Sequence, residues 1–204
     1  MNIKHICIYN LIIENGTTFF KLYNTGKLHL PSEDTLIDMD KTTYELTDYH
    51  GLKRYEISNY AKEHFECIHN LGYWSDIPYL GFGLNSSSYF ENKRLKNLIH
   101  INNYLSLDYK KYLLDSNKNK YYESIEFIDI KNHISEYVML GFRKTAGINI
   151  VDFNNTFNEN FEKLYDKQIT KYLNLNLLCK NGENYHLTFE GLNISNKILA
   201  DFLV

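Results

Sequence analysis

Residues 32 to 51 contain both ends of one helix. Ser32 offers a short oxygen-bearing side chain to cap the first turn, and Glu33 and Asp34 follow where the helix dipole favours acids. Leu36, Met39, Thr43, Leu46 and Tyr49 then recur at helical spacing, until His50-Gly51 stops the run with a residue free to turn left-handed. The flanks differ in kind. Lys4 to Ile13 is rich in Ile and Tyr, alternates loosely and reads as a buried strand, Asn15-Gly16 turns it, and Thr18 to Tyr23 is a short helical or irregular piece. Leu52 to Ser58 is a second strand-like run. Strand, helix, strand is the unit of a parallel α/β sheet with a right-handed crossover. Such a sheet needs more strands and cover on both faces, so this unit is expected to belong to a larger layered structure.

The remainder changes character. A loop rich in Ser and aromatics spans 85 to 92, a strand is expected over Arg94 to His100, and a short helix over Ile101 to Tyr112. Ser116 to Lys120 is polar and lysine-rich, the best linker candidate. Ile130 to Gly141 reads as a helix with Ile134, Tyr137, Val138 and Leu140 apolar, and Asp152 to Phe157 follows. Asn160 to Leu173 is a further helix with Phe161, Leu164, Ile169 and Tyr172 on one face. Asn181-Gly182, between Leu175–Leu178 and Tyr185–Leu187, is the strongest hairpin signal in the chain. Thr188 then caps a last helix toward Leu203. Helix, helix, hairpin wing, helix is a winged-helix-like order, and the fold class expected is α/β.

Composition narrows the function. At 204 residues, 44% hydrophobic and 23% charged, the chain can bury a core. A net charge of −3 gives no general attraction to nucleic acid or anionic membrane. The expected terminal helices mix acids with their few lysines and lack the basic stripe that DNA binding needs, so nucleic acid is not an expected partner. Cys7, Cys67 and Cys179 are odd in number and far apart, which suits neither a disulfide framework nor a structural zinc site and implies reduced thiols in the cytoplasm. The apolar start is broken by Lys4 and His5, and no run approaches the ~18–20 apolar residues of a transmembrane helix.

The chemistry is concentrated in Tyr55–Gly83, "YEISNYAKEHFECIHNLGYWSDIPYLGFG", read as an irregular loop. His69, Asn70, Tyr73 and Trp74 stand together, with Gly72 supplying turn freedom. A neutral imidazole can ligate iron, and flat aromatic rings beside it can stack on a planar macrocycle. The structural alternative has His69 and Asn70 satisfying backbone groups while Trp74 plugs the sheet. Gly81-Phe82-Gly83 with Ser86–Ser88 lacks the third glycine and the context of a phosphate loop, and a tight turn is its expected use. Cys67 near His69 lacks a third catalytic member, and neither Glu56 nor Glu66 has a partner carboxylate at acid/base spacing.

The motifs "YEISNYA", "ECIHNLGYW", "YLGFG" with "SSSYF", "EYVMLGFRKTAGI" and "LTFEGLNISNKILADFL" together resemble the second half of the HemW group. These radical S-adenosylmethionine proteins are similar to oxygen-independent coproporphyrinogen III oxidases. The resemblance implies that residues 1–92 end a partial (β/α) barrel, that 93–119 connect, and that 120–204 form a HemN-type C-terminal domain. It also implies that the longer parent holds a [4Fe–4S] cluster and S-adenosylmethionine on a C-x-x-x-C-x-x-C motif, which these 204 residues do not contain. By resemblance, His69 ligates heme iron, Asn70 fixes its segment by hydrogen bonds to backbone, Tyr73 and Trp74 form an aromatic wall, and no residue here is catalytic. The implied function is heme binding for delivery to an acceptor protein. The alternatives are the back half of a coproporphyrinogen III dehydrogenase and a binding module whose wing docks a partner. One departure is plain: where many relatives have Gly-Ala-His-Ser-Tyr, this chain has Leu84-Asn85-Ser86-Ser87-Ser88-Tyr89, so a histidine near the site is absent.

Overall fold

The computed structural model describes residues 3–108 and 118–204. The chain runs β1 (His5–Cys7), α1 (Thr18–Asn24), α2 (Glu33–Tyr49), β2 (Lys53–Arg54), β3 (Asn59–Ala61), α3 (Ile68–Trp74), β4 (Ser87–Phe90), β5 (Lys93–Asn97) and α4 (Ile101–Leu105). After a 3-10 turn at Lys118–Tyr121 come β6 (Tyr122–Phe127), α5 (Ile130–Gly141), β7 (Ile148–Asn149), α6 (Ile150–Phe157), α7 (Phe161–Leu164) and α8 (Asp166–Asn174). β8 (Leu178–Asn181), β9 (Asn184–Leu187), α9 (Phe189–Asn193) and α10 (Ser195–Ala200) complete it. The helix expected to reach Tyr112 stops at Leu105; its expected residues 109–112, and the first residues of the linker expected from Ser116, lie outside the described residues.

The helix read from its caps is present: the Ser32 hydroxyl accepts the Thr35 N–H at 3.2 Å, His50 is the C-cap, and Gly51 turns with φ +73°. The expected parallel pairing is not what flanks it. β1 and β2 both pair antiparallel with β3, in the order β1-β3-β2, so they run the same way but are separated by a strand the sequence reading missed. The cause is local. Glu56 Oε1 accepts the Ser58 N–H at 3.0 Å and the Tyr55 N–H reaches the Asn59 carbonyl at 3.2 Å, so the expected strand Leu52–Ser58 reverses within itself.

A second antiparallel sheet, β4-β5-β6, crosses the expected boundaries at 92 and 119. Its middle strand lies in the segment expected only to connect, so the expected cut at 92/93 falls inside the β4–β5 hairpin. The segment is a structural joint.

The main core lies C-terminal to this sheet. α5 begins where expected because Asp129 caps it, accepting the Asn132 N–H at 2.9 Å. Val138, Phe142, Phe153, Phe161, Ile198 and Phe202 are fully buried in one cluster. Each such side chain contributes about 1.5–3 kcal/mol relative to exposure. The helix expected over Asn160–Leu173 is broken at Tyr165 (φ −115°, ψ 22°), and Phe161 and Tyr165 both face this core with 5.2 Å between their rings. The expected last helix is likewise divided, at Ile194, after Thr188 caps its first part. β8 and β9 form the expected hairpin, displaced by one residue: Gly182 and Glu183 make the turn, and of the two only Gly182 has positive φ, at +57°. β7 joins the same sheet beside β9.

The amino-terminal part is covered far less. In α2 only Thr47 is buried, while Leu36, Ile37, Met39, Leu46 and Tyr49 are exposed. Its link to the C-terminal core includes the Tyr44–Phe189 ring contact at 5.2 Å.

Gly147 tests this packing. It has φ +71°, and an added Cβ would stand 1.9 Å from the Tyr185 carbonyl oxygen. Gly147→Ala is expected to destabilise by about 3 kcal/mol or more in denaturant unfolding. Gly182→Ala, with open space around it, is expected to lose only about 1 kcal/mol, from backbone strain.

Candidate functional site

The segment carrying His69 is a helix, not the irregular loop expected from its composition. At its start the Cys67 side chain makes no cap; the Cys67 N–H donates to the Tyr55 hydroxyl at 3.1 Å, and that hydroxyl also meets His5 Nε2 at 2.8 Å. At its end the Ser75 and Ile77 N–H groups both reach the Gly72 carbonyl, at 3.2 and 3.1 Å, with Asp76 between them at φ +57°. This is a Schellman closure. The left-handed residue is therefore Asp76, and Gly72 lies inside the helix rather than at a turn.

Helical spacing then sorts the four candidate residues. His69 and Tyr73 are four apart and share a face, their rings in edge contact at 4.7 Å. Asn70 and Trp74 form the next such pair, on a face rotated by about 100°. The His69 ring is exposed and its nitrogens make no hydrogen bond among the described residues. The Asn70 amide likewise bonds to none of the described backbone, so the anchoring role expected of it is not present here. Trp74 is the anchor instead. Its indole Nε1–H donates to Glu56 Oε2 at 3.1 Å, and the Arg143 guanidinium lies 5.4 Å from its ring centroid. Glu56 is only 1% exposed and is held by the Trp74 and Ser58 donors. The structure thus brings His69 and Tyr73 together and turns Trp74 away, toward the body of the protein.

Three basic side chains from the C-terminal domain converge on the last turn of α3. Arg143 covers Trp74, Lys144 Nζ donates to Ser75 Oγ at 3.1 Å, and His133 Nε2 meets Asp76 Oδ2 at 2.6 Å. Cations suit the negative end of a helix dipole. The Asp76 hydrogen bond raises the His133 pKa, outweighing the opposing effect of burial, whereas burial lowers that of Lys144. The Tyr89 hydroxyl lies 3.0 Å from His133 Nε2, and burial with Asp76 nearby pushes its pKa well up. A chain of ring contacts runs from His69 through Tyr73, Tyr79 and Tyr89 to His133 and Phe157. None of Glu56, Asp76, His133, Arg143 and Lys144 was a sequence candidate for the site. Only Glu56 had drawn attention, as one of the acids flanking the segment.

A cavity of about 240 Å³ opens beside α3, lined by Tyr73, Trp74, Asp76, Tyr79, Tyr89 and Arg94 among others. This is below the ~300–1,000 Å³ of ordinary small-molecule pockets and too small to enclose a porphyrin. The tight turn expected at Gly81–Gly83 falls just after it, at Leu84–Asn85, with Gly83 bending the chain at φ +92° and Asn85 at φ +57°. Gly81 N–H donates to Ser88 Oγ, Ser86 Oγ donates to the Gly83 carbonyl, and the Asn97 amide bonds both glycine carbonyls. An added Cβ at Gly81 would stand 2.3 Å from the Ser87 carbonyl oxygen. The loop's serines are thus engaged with the protein, two of them through their hydroxyls.

Cys7, Cys67 and Cys179 are free thiols, and no group of three His, Cys, Asp or Glu among the described residues could hold a metal ion. An iron–sulfur cluster does not fit these side chains. No helix among them is long and apolar enough to cross a membrane.

Residues 128–194 match the family described as the HemN C-terminal domain, covering α5 through α9. Over 204 residues the chain is 34% identical to the heme chaperone HemW of Lactococcus lactis subsp. lactis, covering 100% of this chain and 52% of the relative. It is 29% identical over 203 residues to that of Bacillus subtilis, with the same coverage. The chain corresponds to the C-terminal half of a HemW-like protein. It spans about half the length of these curated relatives. The solved coproporphyrinogen III oxidase HemN of Escherichia coli, a radical SAM enzyme, shares its fold with a TM-score of 0.68 at 14% identity, covering 100% of this chain and 48% of that one.

Within this HemW-like half, Glu56 is the group on which the seating of α3 turns. Glu56→Ala leaves the Trp74 and Ser58 donors unpaired and is expected to cost about 2–4 kcal/mol. Because Trp74 is the single tryptophan, its fluorescence is expected to shift to longer wavelength in this variant.

Proposed function

We propose that this chain is the heme-binding part of a HemW-like heme chaperone, with His69 as the ligand to heme iron. The observation that carries the reading is the exposed imidazole of His69, free of hydrogen bonds to the described residues, on a helix whose opposite side is anchored. A neutral imidazole nitrogen offers iron a lone pair without first breaking a protein contact. Tyr73 sets the tilt of the ring from one turn further on. Asn70 adds an amide nearby that bonds to none of the described residues, and Trp74 contributes from behind by holding the helix.

An open seat suits a carrier. A macrocycle held on a surface by one protein ligand keeps its other face accessible to a recipient, whereas a closed pocket would have to open before transfer. The heme is cargo in this reading, and an acceptor protein in the cytoplasm is the expected partner. In the longer parent, a [4Fe–4S] cluster and S-adenosylmethionine would be held by the half that these 204 residues do not represent. Residues 1–92 would close the partial barrel, and 120–204, with their winged-helix-like order, would form the domain that seats α3. The apolar side chains exposed on α2 would be covered by the parent's other half. The coproporphyrinogen III dehydrogenase alternative draws on the HemN C-terminal domain match over 128–194 and on likeness of fold, and the HemW relatives along the whole chain weigh against it.

Hemin titration tests the ligand. Wild type is expected to give a saturable Soret shift, and His69→Ala to bind at least about tenfold more weakly, roughly 1.4 kcal/mol. Equal shifts and equal affinities in the two proteins would remove His69 from the role.

A further inference from the structure

We propose that the Asp76–His133 contact is a pH-responsive latch through which the C-terminal domain sets the position of α3 and of the His69 imidazole it carries. The claim about the latch stands on contacts within the chain; only its consequence for heme rests on the function proposed above.

Three features of the contact make it a latch. First, it joins parts that are distant in sequence: Asp76 follows α3 directly, and His133 sits in the first turn of α5. Second, Asp76 occupies a left-handed position, φ +57°, which a non-glycine residue holds only against backbone strain. The ion pair with His133 offsets that strain, so weakening the pair favours release of the turn that closes α3. Third, the pair is largely withdrawn from water, its side chains being 13% and 15% exposed, which protects it from screening by salt.

The surroundings of His133 favour its charged form. From β4 the Tyr89 hydroxyl approaches at 3.0 Å, and from α6 the Phe157 ring lies in edge contact at 5.0 Å, with Asp152 the one acid on that helix. On its own helix Glu136 lies one turn along, itself bonded to Arg94 of β5 at 2.8 Å. Asp76 and Glu136 both favour the imidazolium, and burial opposes them. The folded pKa is therefore raised above the ordinary value. A group raised in this way contributes its full stabilisation below the unfolded pKa, near 6.5, and loses it as pH climbs through the folded value. The latch is closed in mild acid and loosens on the alkaline side.

Trp74, two residues before Asp76, reports the latch in the 204-residue chain without any ligand. Between pH 6 and 9 wild-type emission is expected to move to longer wavelength with a midpoint above 6.5, while His133→Gln and Asp76→Asn give flat profiles. Should those variants fold poorly, the ring-proton NMR titration of His133 in the wild type decides alone, since a midpoint at or below 6.5 overturns the proposal. Identical emission profiles in wild type and a folded His133→Gln protein overturn it too. A second arm measures hemin affinity at pH 6 and pH 8.5. Between those two pH values wild type is expected to lose about three- to tenfold more affinity than His133→Gln, the variant correcting for any direct effect of pH on hemin and its ligand. If His69→Ala binds hemin like wild type while the Trp74 titration behaves as stated, the latch is supported and the heme assignment is what fails.

Discussion

The last turn of α3 ends in the middle of the protein, with carbonyl groups to shield and a strained aspartate to hold. Glu56 takes the Trp74 indole from one direction, and His133, Arg143 and Lys144 arrive from another. These contacts come from segments far apart in the chain, so α3 is positioned only when the strands around Glu56 and the helix that starts at Ile130 are both folded. The exposure of His69 follows from the same arrangement. A seven-residue helix is too short to persist by its own hydrogen bonds, and it can present one face to solvent because the other is engaged.

The two ends of the molecule are built unequally. C-terminal to β6, aromatic and branched side chains close on one another around Phe153, and buried polar tips such as the Tyr172 and Tyr185 hydroxyls find acids, Asp201 and Glu162, at 2.7 Å. Toward the amino terminus, strands of two or three residues and a helix with its apolar side chains in water carry little packing of their own. The β4-β5-β6 sheet couples the two regions, and α3 sits where they meet. A similarity that extends along the whole chain yet covers half of each relative fits this imbalance.

Signals confined to a few adjacent residues were readable in advance. The caps at Ser32 and Thr188 and the turn at Gly51 depend on local chemistry, and the span Ile130–Gly141 followed from spacing. The hairpin near Gly182 was displaced by one residue, because turn type depends on the strands it joins as well as on the dipeptide. Pairing direction was not readable, since strands this short carry no alternation to distinguish a parallel crossover from a reversal at Glu56. The helical nature of α3 was in fact encoded: His69 with Tyr73, and Asn70 with Trp74, are both four apart, but the histidine and aromatics drew attention to chemistry and away from spacing. Asp76 and His133 gave no signal at all. Each looks like an ordinary polar residue until the fold brings them to 2.6 Å.

The role proposed for His69 comes down to one nitrogen reaching iron. Ferric heme bound to the chain carrying ¹⁵N-labelled histidine can be measured by electron–nuclear double resonance, with eight histidines in competition. The predicted result is an imidazole ¹⁵N coupling present in the wild type and lost in His69→Ala. A coupling that survives that substitution, or that is missing from the wild type, would contradict it.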